Sequence, residues 1–248
     1  DQEKVYAPGI GDNSLGVAAL FGLAWELKSR QLPLGGDVWL VANVCEEGLG
    51  DLLGMKTVVD HFSSAVTAYL ILEGMALGQV YHRGLGVRRY RITTTTRGGH
   101  SWVDFGRPSA IHELAELIVK LNALPLPKEP RTSLNVGRIS GGTSVNTIAS
   151  QAMLELDTRS EGYQELTTLA MQVETLVEQA NKIDAVQVSA EVIGQRPVGE
   201  IPIDHPLVSL AVKALQEQGI TAQLHVGSTD ANIPLSRGLP AVTIGLTH

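Results

Sequence analysis

Asp12, the adjacent pair Glu46-Glu47, Glu73 and His248 are residues of metal-ligand type, each placed where an expected strand or turn ends. Open α/β sheets bind ligands in the crevice outside the carboxyl ends of their strands, so side chains set there converge in space although far apart in sequence. Gathering several carboxylates costs free energy unless a positive charge neutralises them, and a divalent ion does this well. Oxygen donors mixed with an imidazole suit zinc, cobalt or manganese. Neighbouring residues on an extended chain point opposite ways. Glu46 and Glu47 can therefore divide the work, one binding a metal and the other taking a proton from metal-activated water. Taken singly, Asp12 also suits a helix N-cap and the glutamate pair a solvated loop. Their joint placement is what points to a metal-dependent hydrolase.

The elements that must position these residues read as follows. Asp12-Asn13-Ser14 offers N-cap chemistry to an amphipathic helix over Leu15–Arg30, which Pro33 and Gly35-Gly36 end. Asp37–Cys45 is a nearly continuous apolar run, expected as a strand covered on both faces and opening directly into Glu46-Glu47-Gly48. A helix over Leu52–Phe62 and a buried strand over Ala68–Leu72, capped by Glu73-Gly74, continue a strand-helix alternation.

After Gly84 the pattern changes. Val87–Thr96 alternates as a half-exposed strand and runs into Gly98-Gly99-His100-Ser101. A helix over Pro108–Leu121, strands over Ser133–Ile139 and Ala152–Thr158, a helix over Tyr163–Lys182 and a strand over Val186–Ile193 give the order βαββαβ, the ferredoxin-like split unit. The α/β pattern then resumes with a helix from His205-Pro206 to about Gln218, strands over Gln223–Val226 and Ala241–Leu246, and the terminal Thr247-His248. The expected fold is α/β, a doubly wound mixed sheet with an inserted ferredoxin-like lid. Residues 1–84 and 198–248 form a discontinuous metal-binding domain, and residues 85–197 form the lid.

The chain has 248 residues, 44% of them apolar, with 26 Gly and 11 Pro, which suits one large or two modest globular domains rich in turns. A net charge of -7 argues against nucleic acid or an anionic membrane as partner. Cys45 is the single cysteine, so no intrachain disulfide can form; it is expected as a buried, inert thiol. No run reaches membrane-span length and the start lacks a signal peptide's regions, so the expected location is cytoplasmic. Gly9-Ile10-Gly11 and Gly84-Leu85-Gly86 both lack the third glycine of a dinucleotide fingerprint, and no Gly-x-Ser-x-Gly is present.

A resemblance gathers these observations. Gly11-Asp12-Asn13, Glu46-Glu47-Gly, Glu73-Gly, Gly99-His100-Ser101, Gly137-Arg138-Ile139, Gly141-Gly142-Thr143 with Asn146, Asp157-Thr158-Arg159, Gly227-Ser228-Thr229-Asp230 and the final Gly-Leu-Thr-His248 occur in a telling order. Together they resemble the di-zinc exopeptidase and amidohydrolase family of aminoacylase, glutamate carboxypeptidase, succinyl-diaminopimelate desuccinylase and peptidase T. The resemblance implies two divalent metals, zinc foremost, with Asp12 bridging them, Glu47 and His248 on one and Glu73 on the other. It makes Glu46 the general base and His100 the support of the oxyanion, in its own subunit or across a dimer. It gives Asn146 and Arg159 the substrate carboxylate, a task that suits a guanidinium fork. Ser228 and Thr229 would line the pocket.

One departure stands out: the family's remaining histidine ligand comes from a His-x-Asp motif ahead of the bridging aspartate, and this sequence has none before Asp12. One metal site is accordingly expected to be incomplete, as in a fragment of a longer protein. The expected activity is cleavage of an amide bond in a small peptide or N-acyl amino acid, in a homodimer formed through the lid. The alternative is a catalytically incomplete metal-binding module that uses the lid for dimerisation or ligand capture.

Overall fold

The structure, a computed structural model, describes residues 6–247. His248, assigned above to a metal, lies outside the described residues. The chain divides into two compact units, one formed by its beginning and Gly199 onward, the other by Leu85–Val198.

In the first unit, helix α1 spans Leu15–Arg30, the expected bounds, but it buries only Gly16 and so shows no apolar face packed on a core. Its N-terminal cap bond comes from Asn13, whose Oδ1 accepts the Gly16 N–H at 3.0 Å. Helix α2 covers Leu53–Phe62 and buries Met55 and Val59. Strand β1, Tyr69–Ala76, follows, and β2, Gln79–Gly84, returns after a tight turn.

The second unit begins with β3, Gly86–Thr96, and a two-residue β4, Gly99–His100. It continues with α3 (Ala110–Asn122), β5 (Thr132–Gly141), β6 (Thr147–Ile148), β7 (Gln151–Ser160), α4 (Tyr163–Ala180) and β8 (Val186–Arg196). The order β5-β7-β3-β8 is wholly antiparallel and is that of the ferredoxin-like split unit. Along β7 burial alternates without a break: Ala152, Leu154, Leu156, Thr158 and Ser160 face the core, and Met153, Glu155, Asp157 and Arg159 face the open side. Leu114, Leu117 and Leu121 of α3 and Leu169, Val173 and Val177 of α4 pack on the closed face around Tyr90, Ile92, Leu154 and Leu156. The open face is laced with ion pairs, Arg89–Asp157 at 2.9 Å and Arg91–Glu155 at 3.1 Å.

The chain re-enters the first unit through β9, Gly199–Glu200, paired with the end of β2. Helix α5 (Pro206–Glu217) starts at His205, whose Nδ1 accepts the Leu207 N–H at 3.1 Å. Strand β10 (Gln223–Gly227), the short α6 (Asn232–Ser236) and β11 (Ala241–Thr247) complete it. The sheet order is β1-β11-β2-β10. Strands β1 and β11 run parallel, β2 antiparallel to β11, and β10 parallel to β2, so the sheet is mixed. Val59, Ile71, Val80, Val208, Leu215 and Val242 form its core. Among the described residues no helix is long and apolar enough to cross a membrane.

Two expectations are corrected. Residues 37–45 form no strand: they pair with no ladder among the described residues, and an apolar pattern cannot make a strand without a neighbour for its N–H and C=O groups. Their side chains are largely exposed, Trp39 at 64%, as are Phe21 and Trp25 of α1, at 74% and 73%. Cys45, at the end of this segment, is exposed and not buried.

Candidate functional site

Three of the acids picked out by type and position share one electrostatic neighbourhood in the first unit. Glu73 lies near the end of β1, where the parallel pairing with β11 shifts register between Glu73 and Ala76. Its side chain is buried, and its pKa is pushed up to about 8. Burial contributes most to that rise, followed by the negative charges of Glu46, Asp12 and Asp230, while the Gly74 N–H acts in the opposite sense.

The turn that carries Asp12 is fastened to this strand. Asn13 Nδ2 donates to the Leu72 carbonyl at 2.6 Å and lies 3.5 Å from Glu73 Oε2. Gly74 has a steric reason to be glycine, since a Cβ there would fall 2.7 Å from Asp12 Cα and 2.8 Å from Gly11 O. Thr247 lies beside the same turn, its Oγ1 2.9 Å from both the Gly74 and the Met75 carbonyls, which share its one proton. Gly74→Ala should force the Asp12 turn away from β1 and destabilise the chain by about 1–3 kcal/mol, the usual range for an overpacked site. A fall in thermal midpoint checks this, and an unchanged midpoint would mean that the turn yields freely.

Asp230 is the site residue that sequence reasoning passed over. It is buried just beyond the end of β10, and its Oδ2 accepts from Asn43 Nδ2 at 2.8 Å. A carboxylate directly after Gly227-Ser228-Thr229, at a strand mouth, was the available signal. Thr229, expected to line a pocket, is buried: its hydroxyl meets that of Thr243 at 2.8 Å and accepts the Ala231 N–H at 3.2 Å. Its observed contacts hold the loop in shape. Ser228 is half-buried beside it. Glu46 is half-buried, and Glu47 is exposed.

Among the described residues, no three His, Cys, Asp or Glu side chains close on a common point that a metal ion could occupy. The donor chemistry nevertheless suits a cation. A carboxyl whose pKa is raised to about 8, first by burial and then by three neighbouring acids, marks a concentration of acidic groups that a divalent ion would neutralise.

The inserted unit carries the remaining candidates. The His100 ring faces two backbone donors: Nδ1 accepts from the N–H groups of Trp102 at 3.2 Å and Val103 at 3.4 Å. The neutral ring therefore carries its proton on Nε2, which makes it a donor. Asn146 lies on the adjoining turn, with its carbonyl accepting the Ser101 N–H at 3.0 Å and its Oδ1 accepting from Ser144 Oγ at 2.8 Å. Arg159 sits at the far end of β7 from that turn, opposite Val87 in the ladder. The strand ends Gln151 and Arg159 are about 27 Å apart at the usual rise per residue. Asp157 orients the guanidinium by accepting from Arg159 Nε at 2.6 Å, while its other oxygen accepts from Arg89 Nε. Burial alone would raise the Asp157 pKa, but the hydrogen bonds from Arg159 and Arg89 outweigh it and hold the carboxyl below its ordinary value.

Comparison with known proteins bears on the fold and on the inserted unit. Residues 83–185 match the family model described as the peptidase dimerisation domain, of M20 type. The chain is 23% identical over 241 residues to the uncharacterized protein YqjE of Bacillus subtilis, covering 96% of this chain and 63% of that one. It is 30% identical over 162 residues to a peptidase M20 domain-containing protein of Schizosaccharomyces pombe, covering 62% of this chain and 38% of that one. Among solved structures, it superimposes on aminopeptidase PepT from Bacillus cereus with a TM-score of 0.77 at 22% identity, covering 94% of this chain and 62% of PepT. A tripeptidase from Staphylococcus aureus gives 0.78 at 21% identity, with the same coverage of 94% and 62%. The chain thus spans less than two thirds of the length of these relatives. It carries a peptidase dimerisation domain of M20 type over residues 83–185 and shares its fold with these solved peptidases.

Proposed function

We propose that this chain is a metal-dependent hydrolase that cleaves an amide bond in a small peptide or N-acyl amino acid bearing a free carboxylate. The observation that carries the reading is the acid cluster of Asp12, Glu46, Glu73 and Asp230, in which Glu73 is held near pH 8. Asp12, Glu73, Glu47 and His248 would hold two divalent ions, zinc best suited, and bound metal would activate water and polarise the scissile carbonyl. Glu46 takes the proton of the attacking water and returns it to the leaving amine. His100 donates from Nε2 to the carbonyl oxygen as negative charge develops there. Arg159 and Asn146 bind the substrate carboxylate, the guanidinium by its paired donors.

Asn146 and Arg159 lie toward opposite ends of β7, which supports a further element of the reading. Two copies complete each site, joined through the inserted unit, so that the His100–Asn146 turn and Arg159 meeting one substrate come from different chains.

The test is hydrolysis of tripeptides and N-acetyl amino acids by the purified chain with zinc, repeated after chelation. Chelator-sensitive turnover supports the reading, and no turnover of any amide with metal present would overturn it for this chain. Arg159→Ala should raise KM by about tenfold or more with a smaller change in kcat, as loss of a charge-assisted bond to a carboxylate would. An unchanged KM removes Arg159 from the clamp. Mixing His100→Ala with Arg159→Ala chains should restore part of the activity each lacks alone, and failure to do so would place both residues on one chain's own substrate.

A further inference from the structure

The inserted unit contains a cavity of about 600 Å³ that none of the roles above uses. It opens at the end of β3, where the Gly98-Gly99 turn meets the Gly141-Gly142-Thr143 turn that follows β5. Gly98 and Gly142 adopt φ of 67° and 73°, so the two turns that shape its wall depend on glycine. Two guanidinium groups, Arg91 and Arg97, line it together with hydroxyls including those of Thr93 and Thr143, and no Asp or Glu does so. In a chain of net charge -7, a cavity walled by arginine and hydroxyl donors and free of acids is selective by charge.

The surplus charge belongs to Arg97. Arg91 is matched by Glu155 at 3.1 Å and Glu191 at 3.5 Å, and Arg138 approaches the same Glu155 at 3.9 Å. Arg107, whose Nη1 reaches the Gly98 carbonyl, is matched by Asp104 at 2.8 Å. Arg97 makes no ion pair or side-chain hydrogen bond among the described residues and is exposed at the cavity. An unmatched guanidinium beside several hydroxyls is the usual donor set for a planar or tetrahedral oxyanion.

We infer that this cavity is a binding site for a small oxyanion, a carboxylate or a phosphate, held by Arg97. Gly99 and Thr147 of its wall are the chain neighbours of His100 and Asn146. The anion can therefore come from a second acidic group on the substrate of the proposed hydrolase or from a free ion in solution. The site itself stands without that reading, since it needs neither metal nor turnover.

Titration of the isotope-labelled full chain with inorganic phosphate, glutarate and N-acetylglutamate, followed by amide NMR, tests this. Saturable shifts are expected at Gly98, Gly99, Gly141 and Gly142, with the dissociation constant raised about tenfold or more in Arg97→Ala, the loss of a hydrogen bond to a charged group. Arg97 is exposed and without partners among the described residues, so the remaining spectrum should not change, and Arg97→Lys should keep part of the affinity. Equal response to phosphate and glutarate would identify a free-ion site. A response confined to N-acetylglutamate, extending to the His100 amide, would identify a substrate subsite. No saturable shift with any of the three, or binding unaltered in Arg97→Ala, overturns the proposal. Anion binding without any hydrolysis would leave this site standing while the proposed activity fails.

Discussion

Glu46→Gln is expected to lower kcat by about 10²–10⁴-fold, the usual worth of a positioned general base, while metal content stays unchanged. The substitution keeps the side chain's size and its oxygen acceptor but removes the basic site. Glu46 is half-buried and lies within the electrostatic reach of Glu73, so its charge is part of the acid cluster and not of the bulk surface. Zinc stoichiometry measured beside kcat separates the outcomes. Lost turnover with metal retained identifies the base, lost turnover with lost metal makes Glu46 a ligand, and unchanged turnover removes it from the chemistry.

Glu73→Gln should make the metal-free chain more stable at alkaline pH. The folded-state pKa of Glu73, about 8, stands above its ordinary value of 4.5. A carboxyl with a raised pKa adds stability that is fully present below the unfolded value and is lost as pH rises through the folded one. In chelator, the wild-type chain should therefore lose stability between roughly pH 4.5 and pH 8, as an uncompensated charge is forced into the cluster. The amide of the variant stays neutral throughout, so the variant should lack this decline. Discounted for partial solvent access, the difference at pH 8 is on the order of 2–3 kcal/mol, or roughly 5 °C in thermal midpoint for a unit of this size. With zinc present the order should reverse, because the carboxylate that weakens the empty cluster is the one proposed to bind metal. Parallel pH profiles for the two chains would mean that Glu73 ionises freely.

Much of this was legible in the residue pattern. The inserted unit could be read because alternation in β3 and β7 and the apolar faces of α3 and α4 are local signals that its own core satisfies. Glu73 could be read from its place near the end of a strand, whereas Glu46 comes near it although the segment before it forms no strand, so the ground for placing Glu46 there did not hold. Asp230 was given no role because a loop acid shows no period, and its hydrogen-bond partner Asn43 is far away in the chain. Residues 37–45 misled because apolar continuity reports the wish to be covered, not the presence of a ladder partner. The distance between Asn146 and Arg159 was hidden for another reason. Their spacing follows from β7 running without interruption from Gln151 to Ser160, longer than the strand expected from the pattern.

The way the second unit is spliced into the first bears on the order of folding. Arg83 and Gly84 pair with Glu200 and Gly199, and within the insertion Val87 pairs with Arg196. Once the insertion has formed its own ladder, its two ends stand about 5 Å apart as cross-strand neighbours. Joining β2 to β9 then closes a gap of a few residues instead of the whole of Leu85–Val198. Closure cost rises with the logarithm of loop length, so this shortening by roughly four halvings spares the first unit about 2 kcal/mol of chain entropy. An insertion that looks like an interruption of one domain thus serves as its clasp, provided that it folds first.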